Sequence, residues 1–267
     1  MSAEARRAAG SSRRARLGAG AEQLELPAPR TWGGRRVGAG RPRKPGGAVP
    51  HTQRPALAAR FPVHVVVRVA PAVRGLRRRA CYHAIRRAVM RCATRGDFRI
   101  VHLSIQQSHL HLLVEAASKQ ALSRGMQGFE ISAAKLLNRA IGVGRPSDRA
   151  SAHHAPPPRS ARRGAVFPTR YHATVLRTPT QTRHALSYVL NNWRKHWAQI
   201  PVRQRALWID PFSSSYAFTA WAEYRGAVFL WPMPPTYEPL LVHQPRTWLL
   251  RAGYLRGGPA ISLQETP

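Results

Sequence analysis

Ser108-His109-Leu110-His111-Leu112-Leu113-Val114-Glu115 places two histidines one residue apart in an apolar run. Such a run reads as a β-strand, where residues i and i+2 point to the same face. His109 and His111 then share a face and can grip one metal ion together. Leu110, Leu112 and Val114 point the other way, into a core.

The flanks extend the pattern. Residues 98–105 form a strand with Val101, Leu103 and Ile105 on one face and His102 on the other. The short Gln106-Gln107-Ser108 connection joins it to the two-histidine strand as a hairpin. Residues 62–69 alternate as well, with Val63, Val65, Val67 and Val69 opposite His64, Val66 and Arg68. Between them lies a basic helix over 73–95, with Ala80, Ala84, Ala88 and Cys92 along one stripe, broken by Gly96-Asp97.

Downstream, residues 119–141 repeat at helical spacing through Leu122, Met126, Phe129, Ala133, Leu136 and Ala140, with Arg124, Lys135 and Arg139 on the polar face. A fourth strand runs from Tyr171 to Arg177, and Thr178-Pro179 opens a helix over 180–197. Its buried stripe is Leu186, Leu190, Trp193 and Trp197; Tyr188, Asn192 and Lys195 share another face. The order β-α-β-β-α-β plus a helix predicts an α+β, ferredoxin-like (RRM-like) split βαβ antiparallel sheet. Helices cover one face, and the other, left open, gathers His64, Arg68, His102, His109, His111 and Glu115.

Three regions follow from composition. Residues 1–60 carry thirteen basic and three acidic residues without hydrophobic period, which predicts a disordered basic arm. Within it Gly40-Arg41-Pro42-Arg43-Lys44 resembles an AT-hook core, and Arg41 and Arg43 are DNA-contact candidates, chiefly as part of a phosphate-binding tail. Residues 61–200 form the domain that carries the paired histidines, with a flexible Gly, Pro, Ser and Arg-rich loop over 142–165 in which His153-His154 are solvated. Residues 201–267 are a Pro and aromatic-rich extension ending in a basic segment, Arg246 to Arg256. Its aromatics, interleaved with Arg, suit packing better than base stacking.

The formal net charge of +32 comes almost wholly from arginine, with only four lysines. Guanidinium forks match phosphate, so nucleic acid is the default partner. The segment with the histidines holds only Asp97, Glu115 and Glu130, too few for carboxylate-cluster nucleases or paired-carboxylate glycosidases. Cys81 and Cys92 are the only cysteines, roughly 16 Å apart along one helix at 1.5 Å per residue, too far for a disulfide. No apolar run approaches the length of a membrane span. A bacterial cytoplasmic, nucleoid-associated protein is the expected setting.

His109-Leu110-His111 followed by Tyr188-Val189-Leu190-Asn191-Asn192 resembles the single-tyrosine HUH transposases, in particular the REP-associated tyrosine transposase (RAYT) group. Phe167 and Arg170-Tyr171-His172 add to the likeness, which covers about residues 60–200. Ser108 stands where the family often has Asn, and the 142–165 loop is longer than usual. The resemblance implies that His109, His111 and Asn192 hold Mg²⁺ or Mn²⁺. Tyr188 would attack a phosphate of single-stranded DNA near a hairpin, leaving a 5′-phosphotyrosine and a free 3′-OH. A phenol ordinarily titrates near pH 10 and is a poor neutral-pH nucleophile, a mismatch that a divalent ion relieves. Implied partners are hairpin-bearing single strands, from terminal or repeated palindromes. Arg68, Arg124 and Lys195 join Arg41 and Arg43 as DNA-contact candidates. A homodimer exchanging the tyrosine helix and a monomer both remain open. The competing reading is a non-catalytic single-strand-binding module with an RRM-like sheet.

Overall fold

A computed structural model of the chain describes residues 56–142, 162–196, 209–223 and 236–267. The elements are β1 (Val63–Arg68), α1 (Arg79–Cys92), β2 (Phe98–Ile105), β3 (His109–Ala116), α2 (Lys119–Gly142), β4 (His172–Val175), α3 (Pro179–His196) and a short α4 (Trp248–Arg251). Four strands make one antiparallel sheet in the order β2-β3-β1-β4. The expected split βαβ fold is present. No described helix is long and apolar enough to cross a membrane. Arg41, Arg43, Trp197 and most of the 142–165 loop lie outside the described residues.

One sheet face is an apolar floor. Val63, Val65 and Val67 of β1 and Leu110, Leu112 and Val114 of β3 are fully buried against Ile85 and Val89 of α1 and Met126, Phe129 and Leu137 of α2. Strand alternation meets the helices' apolar stripes, so each element hides its apolar side only when packed on the others. Gly125 lets α2 close on the sheet: a Cβ there would come within 2.2 Å of the Phe98 ring. Tyr171 is buried in this layer.

Two sequence expectations shift here. Helix α1 starts at Arg79 rather than 73, and Ala80 is exposed. Pro71–Val73 is instead a 3₁₀ turn, and Gly75 follows at φ +89°, a conformation glycine alone adopts freely, so the helix cannot begin before it. In β2 the pairing slips between Ile100↔Val114 and His102↔Leu113. This β-bulge sends Ile100, Leu103 and Ile105 into the α1/α2 core, while Val101 packs on the other face. Val101 therefore does not share a face with Leu103 and Ile105 as simple alternation predicts.

The second face, expected open, is half covered. Helix α3 lies over Val101 and Leu113, burying Leu186, Val189 and Leu190. Thr178 caps its start by accepting from Gln181 N–H at 3.2 Å, with Pro179 as first helical residue. The C-terminal segments complete this layer with Phe218, Trp221, Leu250, Tyr254, Ile261 and Leu263. Arg183 of α3 donates to both oxygens of Glu265 and to Pro259 O, and Asn191 donates to Ser262 O. Open sheet faces of this fold carry apolar side chains that must be hidden or used; here the tail hides the β2–β3 half.

Candidate active site

Glu115, placed by sequence on the functional face, is an anchor. Its carboxylate is 1 % exposed and accepts from Arg246 N–H, Thr247 N–H, the Thr247 hydroxyl and the Arg99 guanidinium. The buried charge is thus paired and its lone pairs are filled, the condition for burying a carboxylate at all. It ties the stretch before α4 to β3. His102 is likewise structural: its Nδ1 lies 3.1 Å from Ser214 Oγ, and Phe218 packs edge-on at 5.8 Å. Burial pushes its pKa down to about 4 against a smaller opposing pull from Glu115.

The remaining histidines converge. His109 and His111 sit edge to face with ring centroids 4.7 Å apart, as strand geometry requires. His64 comes from the neighbouring β1: its Nε2 lies 3.2 Å from His111 Nδ1, and the rings stack at 5.3 Å. Burial, then the nearby His172, pushes the His64 pKa down to about 4. His64 is therefore neutral at physiological pH and can accept a hydrogen bond from His111. With His111 as the donor, this contact fixes its ring and leaves the lone pair on its Nε2, the pattern by which an outer group orients a metal-binding imidazole.

Tyr188 completes the cluster. Its ring meets His111 edge-on at 5.0 Å and His64 at 6.0 Å, and it stays only half-buried. Asn192, one turn later, is 1 % exposed, and neither its Oδ1 nor its Nδ2 has a hydrogen-bond partner. A buried amide left so costs about 1–3 kcal/mol, which native proteins tolerate chiefly where a ligand supplies the partner. Two imidazoles and an amide oxygen would make a neutral donor set suited to a divalent ion that keeps positions for phosphate oxygens. Among the described residues no three His, Cys, Asp or Glu side chains form a metal cluster by themselves.

The DNA-contact candidates separate. Arg68 is exposed at the end of β1, opposite His109 in register, and Lys195 is exposed near the end of α3. Arg124 is exposed on α2, in the helical layer behind the sheet, and does not share the histidine face. The sequence reading put His64 on the correct face without a role. Its signal was the β1 alternation, which sets it beside the histidine pair once β1 and β3 are neighbours.

Residues 59–145 match the family model described as "Transposase IS200 like". The match runs from before β1 through α2, so it bears out the resemblance around His109 and His111 and stops short of the Tyr188 helix. No curated protein matches the chain significantly. A solved structure of a REP-associated tyrosine transposase bound to a REP hairpin is similar at 16 % identity and a TM-score of 0.46, covering 72 % of this chain and 96 % of that one. The fold itself stands on the strand order and register above.

Proposed function

We propose that this chain, whose residues 59–145 match the IS200-like transposase family model, cuts and rejoins single-stranded DNA through Tyr188. The carrying observation is the edge contact of Tyr188 with His111, both on one chain, with α3 folded over the strand that bears the histidines.

In this reading Tyr188 Oη attacks the scissile phosphorus. The new bond joins phosphorus to the phenolic oxygen, the bond to O3′ breaks, and the phenolic proton is lost as O3′ gains one. A 5′-phosphotyrosine and a 3′-OH result. Attack by a 3′-OH on that link reverses the step and rejoins strands, since the phosphodiester energy is retained. His109, His111 and Asn192 are the residues to hold Mg²⁺ or Mn²⁺, which when bound would polarise the phosphate oxygens. His64 orients His111. Arg68, exposed beside His109, and Lys195 are placed to meet the DNA backbone.

Incubating the chain with hairpin-flanked single-stranded DNA and Mn²⁺ is expected to give a covalent adduct that survives denaturation. Tyr188→Phe should remove it entirely. Persistence of the adduct in that variant would assign the nucleophile elsewhere. Salt-sensitive binding with no adduct under any divalent ion would instead select the non-catalytic binding module.

A further inference from the structure

The C-terminal segment builds a second feature that the tyrosine chemistry does not use. A cavity of about 430 Å³ lies between it and the bulged stretch of β2. The bulge turns Val101 and His102 toward the same side, and both line the cavity. The buried rings of Phe218 and Tyr254, 6.1 Å apart, supply apolar wall. His243 follows the β2 edge, donating its backbone N–H to Ile100 O at 2.9 Å, and its ring Nε2 is buried without a hydrogen-bond partner. Gln244 and Arg251 line the cavity and are exposed.

Beside it stands an aromatic that packing does not explain. Phe218, Trp221 and Tyr254 of the same extension are buried anchors, whereas Trp248 is 51 % exposed. It shares the short turn of α4 with Arg251, three residues on, and the Arg256 guanidinium lies 5.6 Å from its ring centre. Gly253 supports the ring, since a Cβ there would approach it to 2.8 Å. Leu255 is exposed next to them at 54 %. An exposed, supported indole with two arginines and an adjoining pocket has the make-up of a stacking platform for unpaired bases.

We propose that this patch is a second contact surface for single-stranded DNA, with one base stacked on Trp248 and the neighbouring nucleotide entering the cavity. There Gln244 meets the base edge, and Arg251 meets a phosphate. The ligand must be unpaired, because a base inside a duplex offers no free π-face. The inference rests on the DNA-processing reading above and adds where the strand is held away from the reacting phosphate.

The test uses the full chain carrying Tyr188→Phe, so that binding is read without cleavage. Fluorescence anisotropy with a labelled oligonucleotide bearing one hairpin and unpaired flanks should show Trp248→Ala weakening binding roughly five- to tenfold or more. Trp248→Phe should restore part of it, and a blunt duplex should be bound equally by all three. Arg251→Gln should lower the slope of log Kd against log salt by about 0.7. Ile131→Ala, an exposed residue on α2 at 49 %, serves as the control. With 5-iodouracil in the flank, cross-links should map to the peptides containing Trp248 or Tyr254. Binding by both variants within twofold of the parent, with cross-links confined to other peptides, overturns the proposal. If the unmodified chain still forms its Mn²⁺ adduct in that case, the strand-cleavage reading stands alone. If Trp248→Ala weakens binding but the unmodified chain forms no adduct, the surface stands and the cleavage reading falls.

Discussion

His102 and His111 are both buried, lie on adjacent strands and point to the same side of one sheet, yet they have opposite surroundings. Over the β2–β3 half, α3 and the tail close on His102 and give it Ser214 and Phe218. Toward β1, His111 meets the rings of His64, His109 and the half-buried Tyr188. Arg68 and His172 on the same half remain exposed. The residue type does not decide the role. What decides it is whether the chain supplies a neighbour that satisfies the ring, or leaves room for something from outside.

That contrast predicts that damage on the covered half appears as lost stability. The largest effect should come from Glu115→Ala, which leaves the Arg99 guanidinium and the 246–247 backbone amides without their acceptor. Breaking a buried, hydrogen-bonded charge pair costs about 3–5 kcal/mol. Urea denaturation should show a lower midpoint of that size, and protection of the 240–267 backbone from hydrogen exchange should fall with it. A loss below about 1 kcal/mol would mean that the tail is held by its apolar contacts alone.

A second, smaller effect depends on pH. The unfolded chain protonates His102 near 6.5, whereas the folded protein refuses the proton down to about 4. The unfolded state thus binds more protons inside that window, so stability falls as pH drops from about 6.5 toward 4 and levels off below. The full span is worth about 3 kcal/mol. His102→Gln, which can still reach Ser214, should flatten the curve relative to the parent, with His64 supplying the residual slope of the same sign. Parallel curves for the two proteins between pH 7 and 4.5 would show that His102 is not kept neutral by its surroundings.

The two halves were not equally legible. Strands β1 and β3 alternate apolar with polar residues, and a one-residue slip would bury His64 or His111 in the α1/α2 core, so their faces follow from pattern alone. In β2, Ile100, Val101, Leu103 and Ile105 are all apolar and fit either face, and nothing in the residues announces the bulge. The covering of His102 was invisible for another reason. Its partners, Ser214 and Phe218, come from more than a hundred residues away, in and just after a single 3₁₀ turn too short to show a periodicity. The convergence of Tyr188 on the histidines was anticipated by the resemblance; the His64 contact needed strand order as well.

The smallest expected effect on stability is the sharpest test of the comparison. His109 is only partly buried and belongs to the exposed half, where its ring meets the His111 ring and the Ser108 hydroxyl. His109→Ala should stay within about 0.5 kcal/mol of the parent by urea denaturation. Adduct formation with Mn²⁺ should nevertheless fall about a hundredfold or more, because loss of even an outer partner of a metal costs ten- to a hundredfold. Raising Mn²⁺ should restore part of the rate if His109 acts as a ligand, and none if it only shapes the DNA path. A variant that loses stability and adduct in parallel would place His109 with His102, among the histidines that the fold uses for itself.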